Sequence, residues 1–115
     1  MDQERRKLLR TPLEYFISVN EPETGRLIGY LADLTTAGAL LVAEKRYQPE
    51  QRIRLRLSLP EGYSQPALEI EARVVWMLPD ENPALYRVGL QFLTAPPEQV
   101  TLLARVIREH GLHSG

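Results

Sequence analysis

Short runs in which apolar and polar residues alternate recur along most of this chain of 115 residues. The clearest run, residues 52–59, has isoleucine or leucine at every second position and arginine or serine between them. Because successive side chains of a strand point to opposite faces, this run predicts a strand with one buried face and one solvated face. Similar patterns predict strands over residues 13–20, 27–35, 39–42, 68–76 and 85–92. In residues 68–76 the alternation puts Trp76 on the same apolar face as Val74.

Proline, glycine and acidic residues mark turns between these runs, at residues 21–25, 60–62 and 79–83. After residue 93 the apolar period becomes helical, with Thr94 or Ala95 expected to cap the helix and Gly111 to end it. The predicted apolar stripe comprises Val100, Leu103, Ala104 and Ile107, widened by Leu102 and Val106. Close turn spacing favours an all-β fold, a six-stranded antiparallel β-barrel with one C-terminal α-helix.

Composition restricts the classes of protein that this chain can represent. A length of 115 residues, with 43% hydrophobic and 25% charged residues, is typical of one globular domain. The net charge of −1 excludes a global attraction to nucleic acid polymers or anionic membranes. The chain has no cysteine, no apolar run long enough to span a membrane and no secretory signal, so we expect a cytoplasmic protein.

The sequence also lacks the patterns typical of catalytic sites. It has no glycine-rich phosphate loop, no nucleophile elbow and no HExxH motif. The two histidines, His110 and His113, lie in the C-terminal tail and make a poor metal site. We therefore expect no enzyme activity, no catalytic residues, no metal and no cofactor.

Two polar segments stand out against the strand pattern. Residues 1–12 are predicted to form a flexible basic arm, and it contains Arg5, Arg6 and Arg10. The segment 33–38, Asp-Leu-Thr-Thr-Ala-Gly, predicts a tight turn between two strands. Arginine forks suit phosphate, and the turn offers hydrogen-bonding groups for the edge of a base. The alternative is a solvated terminus beside an ordinary turn.

Together these segments resemble the signature of the PilZ domain family, an RxxxR motif followed by a [D/N]xSxxG motif. Arg6 and Arg10 match the first motif, and Asp33, Thr35 and Gly38 match the second, with threonine in place of the usual serine. Residues 74–76, which end in Trp76, and residues 86–92 are similar to the family's last two strands. The resemblance covers about residues 4–93 and implies a six-stranded barrel, here over residues 13–93, with a terminal helix and tail over 94–115.

The resemblance further implies a receptor for the bacterial second messenger cyclic di-GMP. By analogy, Arg6 and Arg10 bind phosphate and guanine, while Asp33, Thr35 and Gly38 read a guanine edge. Arg5 occupies a position where a basic residue accompanies a stacked pair of ligands, and Trp76 falls where some relatives place an aromatic against the ligand. A lone domain of this kind must change conformation and signal through a downstream partner protein.

Three alternatives remain at this point. The chain could be a PilZ-like protein-interaction module that does not bind the nucleotide, although the motif residues are intact. It could be an unrelated barrel that binds single-stranded nucleic acid. However, the predicted pairing of Arg54 and Arg56 with Glu69 and Glu71 neutralises the basic stripe that such a barrel would need. Finally, the apolar stripe of the helix could form a homodimer instead of covering the barrel.

Overall fold

Six strands and one helix make up the described part of the chain, residues 11–93 and 96–111 of a computed structural model, with side chains described from residue 17 onward. The elements are β1 (Thr11–Asn20), β2 (Leu27–Leu34), β3 (Gly38–Ala43), β4 (Arg52–Ser58), β5 (Ala67–Pro79), β6 (Tyr86–Phe92) and α1 (Pro97–His110). The strands close into an antiparallel barrel in the order β1-β2-β3-β6-β5-β4. The predicted fold is confirmed. The predicted caps Thr94 and Ala95 lie outside the described residues.

Alternating side chains of the strands fill the interior of the barrel, as the period-two pattern predicts. On β4, Leu55 and Leu57 are fully buried while the arginines between them are exposed. Across the barrel, β3 contributes Leu41 and β6 contributes Val88, which lie opposite each other and are also fully buried. The apolar faces of the strands therefore meet inside the barrel, and burial of these faces is the main force that holds the barrel together.

The exposed face of β4 and β5 is charge-compensated, as the sequence indicates. Arg54 lies opposite Glu71, and Arg56 lies opposite Glu69. The guanidinium of Arg54 is 3.6 Å from the carboxylate of Glu69 and 2.8 Å from that of Glu23. These exposed pairs contribute little to stability, but they remove the free basic stripe that a nucleic-acid groove would need.

Strand β3 extends by one residue at each end, and two strands, β1 and β5, extend further beyond a predicted end, with a proline in each extension. β1 begins at Thr11, so that Pro12 lies opposite Asp33 in β2. The regular register breaks after Pro12, which explains how a residue without an N–H donor is accommodated in the strand. β5 continues to Pro79, which lies opposite Tyr86 at the last position of the ladder.

The helix α1 buries most of the predicted stripe, but the centre of its buried face is shifted: Leu103 and Val106 are buried, and Leu102 and Ile107 pack against the core. Its buried residues are Gln99, Leu103 and Val106, whereas Val100 and Ala104 are only half-buried. The predicted stripe is thus rotated, because contacts with the barrel and with the loop after β4 select the buried face. The Tyr63 hydroxyl of that loop donates to the Glu109 carboxylate at 2.7 Å. Within the described residues, no helix is long and apolar enough to cross a membrane.

Candidate ligand-binding face

The turn between β2 and β3 is organised by the hydroxyl of Thr35. Its Oγ1 accepts hydrogen bonds from the backbone N–H groups of Ala37 at 3.0 Å and Gly38 at 2.9 Å, and it donates to the Gly38 carbonyl at 3.2 Å. A hydroxyl has one donor and two acceptor positions, so these contacts fill its capacity. The arrangement makes Thr35 the residue that shapes the turn, and the threonine oxygen performs this task as a serine oxygen would.

Gly38 is required by close packing of two strands. A β-carbon at this position would lie 2.2 Å from the carbonyl oxygen of Leu90 in β6. A positive φ is not the reason, because the described glycines with positive φ are Gly25 and Gly62. The glycine therefore lets β3 approach β6 where the turn ends.

Asp33 reaches the outer face of the barrel through a β-bulge in β2. Leu31 lies opposite Leu41 and Asp33 lies opposite Leu40, so Ala32 is an extra residue between two regular pairs. Leu40 points outward, since its neighbours in β3 are both buried in the core. Without the bulge, strict alternation would place the Asp33 side chain inside with Leu31, where a carboxylate is costly.

A second bulge places Trp76, and it corrects one sequence prediction. Strict alternation puts Trp76 on the same face as Val74, but Val75 is an extra residue between the pairs Val74–Leu90 and Trp76–Gly89. The indole lies against the outer side of Gly89, where a β-carbon would be 2.3 Å from its Nε1 and Cε2 atoms. The predicted inward face for Trp76 is wrong because a bulge reverses the alternation beyond it.

The two bulges bring Asp33 and Trp76 into one row across the outside of the barrel. From β2 to β5, the row consists of Asp33, Leu40, Gly89 and Trp76, each opposite the next. Three strand spacings separate its ends, a distance of about 14 Å. Leu40 and Gly89 were not identified from the sequence, although a glycine inside an apolar strand is a signal of close approach.

The basic arm enters the fold beside this row. Thr11 lies opposite Leu34, and Pro12 lies opposite Asp33, so the chain before Thr11 joins the barrel next to the Thr35 turn. Arg5, Arg6 and Arg10 themselves lie outside the described residues. The structure thus brings Asp33, Thr35, Gly38 and Trp76 to one outer face, and it brings the attachment point of the arm to the same edge.

Comparison with known proteins identifies the fold family. A family model described as the PilZ domain matches residues 3–109, which is most of the chain. No curated protein sequence matches significantly.

Several solved structures share the fold at low sequence identity. The PilZ domain of YcgR from Escherichia coli, solved with c-di-GMP, has a TM-score of 0.63 and 16% identity, over 88% of this chain and 86% of that one. The Bacillus subtilis inhibitor of motility MotI/DgrA has a TM-score of 0.69 and 18% identity over 87% of this chain. MrkH of K. pneumonia in its apo state has a TM-score of 0.68 and 15% identity over 87% of this chain. This chain spans only 49% of MotI/DgrA and 48% of MrkH.

Proposed function

Because this chain belongs to the PilZ domain family, we propose that it is a cytoplasmic bacterial receptor for cyclic di-GMP that changes conformation on binding and signals through a partner protein. PilZ domains are regulatory binding domains and not enzymes. The observation that carries the proposal is the outer row from Asp33 to Trp76, with the arginine-rich segment attached at its Asp33 end.

The row supplies one group for the edge of a guanine base and one for its face. The Asp33 carboxylate suits the N1–H and N2–H₂ donors of a guanine edge, and the Trp76 indole suits stacking on a purine face. The spacing of about 14 Å between the two ends of the row leaves room for a ligand with two bases. Thr35 and Gly38 support the site by holding the turn beside Asp33.

The arm supplies arginines at the Asp33 end of the row. Arg10 directly precedes Thr11, whose partner is Leu34, so its α-carbon is tethered within about 4 Å of the end of β1. Arg6 lies four residues before Arg10 in the sequence, and we propose that it contacts the same ligand. Guanidinium groups bind phosphate and the O6 and N7 atoms of guanine through paired hydrogen bonds, which lysine does not reproduce.

Isothermal calorimetry of the full chain with cyclic di-GMP tests this proposal directly. Cyclic di-AMP is the matched control, because it has the same phosphates and ring but no guanine edge. We expect binding of cyclic di-GMP and at least tenfold weaker binding of cyclic di-AMP. Equal affinities would contradict guanine recognition by Asp33, and no binding of either would favour the nucleotide-independent interaction module.

The same titration reports the role of Arg5. If Arg5 supports a stacked pair of ligands, the wild-type chain binds two molecules of cyclic di-GMP, and Arg5→Ala binds one. A ratio of one for the wild-type chain would remove this role while leaving the receptor proposal intact.

A further inference from the structure

Exposed apolar side chains gather on one side of the barrel. Among the described residues, the large hydrophobic side chains that remain exposed are Leu27, Tyr30, Val75 and Leu78, at 54%, 43%, 42% and 40%. Tyr30 on β2 and Leu78 on β5 lie in one row across the outside of β3 and β6, Leu27 lines the same groove as Tyr30, and Val75 is the bulge residue of β5. Single exposed hydrophobics are ordinary, but a cluster on one sheet face is typical of an interaction surface.

The centre of this surface is a second row, parallel to the row that contains Trp76. Tyr30, Val42, Arg87 and Leu78 lie opposite one another across β2, β3, β6 and β5. We call these residues the outer apolar row. A groove of about 260 Å³ continues the row past Tyr30 and Val42 toward Leu85 and Glu44.

Arg87 is the one charged member of the outer apolar row, and its hydrogen bonding is incomplete. Its Nε atom is buried and has no hydrogen-bond partner among the described residues. The ion pairs of the described residues involve Arg54, Arg73 and Arg105, but not Arg87. A guanidinium among apolar side chains with an unsatisfied donor is complementary to a carboxylate brought by another surface.

Glu44 supplies a matching carboxylate on the same surface. It directly follows the last residue of β3, lines the groove and is exposed. It also belongs to none of the ion pairs of the described residues. Because Val42 lies directly opposite Arg87, Glu44 and Arg87 are diagonal neighbours, and a surface with a cation and a carboxylate side by side is complementary to itself under a two-fold rotation. A partner of different sequence would have to supply both charges independently.

We propose that the outer apolar row is a self-association surface on which two copies of this chain pack face to face. In this dimer Arg87 of each copy pairs with Glu44 of the other, while Tyr30, Val42 and Leu78 form the apolar centre. The surface is small, so the dimer is weak and depends on protein concentration. The outer apolar row lies on the same four strands as the row that contains Trp76, two residues further along β3 and β6, so the dimer is tested without nucleotide. The proposed interface uses the barrel instead of the helix face predicted from the sequence.

Sedimentation velocity of the full chain without nucleotide, over micromolar to submillimolar concentrations, tests the proposal. We expect a monomer–dimer equilibrium for the wild-type chain. Arg87→Glu and Glu44→Arg each place like charges across the two-fold axis and should weaken the dimer at least tenfold. The double variant Arg87→Glu/Glu44→Arg restores opposite charges and should restore the dimer.

Two matched controls lie away from the outer apolar row. Arg52→Glu on β4 and Glu61→Arg in the turn after it make the same charge changes at exposed positions and should leave the dimer unchanged. Circular dichroism verifies that each variant is folded. Because Glu44 is exposed, Glu44→Arg keeps the test valid even where Arg87→Glu is unstable.

Three results would overturn the proposal. The first is a wild-type chain that stays monomeric at every concentration, which would leave the surface to a partner of another kind. The second is a dimer that neither single variant weakens, which would point to a different interface such as α1. The third is a double variant that stays monomeric although both single variants are folded and monomeric, which would exclude the Arg87–Glu44 pair.

Discussion

Trp76 lies so close to Gly89 that a β-carbon on the glycine would be 2.3 Å from two atoms of the indole. The contact crosses from β5 to β6 on the outside of the barrel and depends on the bulge at Val75. Gly89 is therefore the surface on which the tryptophan rests, and the orientation of the indole depends on the absence of a side chain there.

Gly89→Ala should displace the indole and lower the free energy of unfolding by about 1–3 kcal/mol, because the added methyl overpacks the contact. Trp76 is the only tryptophan of the chain, so its fluorescence emission reports the displacement without labelling. Ser58→Ala, at an exposed position of β4, is the control. Unchanged emission and stability in Gly89→Ala would show that the indole does not depend on this contact.

Trp76→Ala should weaken cyclic di-GMP binding by about five- to hundredfold, because stacking on a base contributes about 1–3 kcal/mol. Trp76→Phe should lose less, since it keeps a flat aromatic surface. Calorimetry measures both affinities, and a ligand titration of the wild-type chain should change its tryptophan fluorescence. If Trp76→Ala binds with wild-type affinity, the ligand does not contact the β5 end of the row from Asp33 to Trp76.

Thr35→Val should destabilise the turn by about 1–2 kcal/mol, because two backbone N–H groups lose the oxygen that accepts their hydrogen bonds. Thr35→Ser keeps that oxygen and should retain stability and ligand affinity. Urea unfolding and calorimetry on both variants measure these effects. Loss of binding in Thr35→Ser would mean that the threonine methyl contributes to the site, contrary to the role given to the hydroxyl.

Arg6→Ala and Arg10→Ala should each weaken cyclic di-GMP binding about ten- to hundredfold, the effect of one charge-assisted contact of roughly 1.5–3 kcal/mol. Their melting temperatures should match the wild type, since both residues precede β1. Lys7→Ala removes a charge from the same segment and is the matched control. Wild-type affinity in both arginine variants would identify residues 1–10 as a terminus without a binding role.

Amide exchange extends the test of the arm. We expect cyclic di-GMP to slow exchange over residues 2–10, because several contacts must form together to offset the entropy lost on ordering. Each single arginine substitution should then restore fast exchange over much of the segment. Exchange that is equal with and without ligand would show that the ligand does not order the arm.

Tyr63→Phe should raise the pKa of Glu109 toward its ordinary value of 4.5, since the Tyr63 hydroxyl, followed by Arg105, holds that pKa below it. A lowered pKa favours the folded state where the carboxylate is ionised. This contribution of Glu109 to the stability of the folded state is complete at pH values above the ordinary pKa. It is lost as the pH falls through the lowered pKa of the folded state. The stability difference between wild type and Tyr63→Phe should therefore shrink from pH 7 to pH 3, as measured by urea unfolding.

Much of the fold could be read from the sequence because each strand has one buried face. Alternation in residues 52–59 predicted β4 and its inward leucines, and the change of period after residue 93 predicted α1. The motif Asp33-x-Thr35-x-x-Gly38 identified the turn because its residues are adjacent in the chain. These features depend on residues that are close together in the chain, and the sequence alone therefore predicts them.

Tertiary structure alone decided which way the site residues point. The bulges at Ala32 and Val75 turn Asp33 and Trp76 outward, and each bulge is defined by pairing with a strand that is distant in sequence. Similarly, the face of α1 that is buried follows from its contacts with the barrel and not from its apolar stripe alone. The alternation of apolar and polar residues within one strand does not reveal a β-bulge. A bulge is defined by two residues of that strand lying opposite one residue of the neighbouring strand.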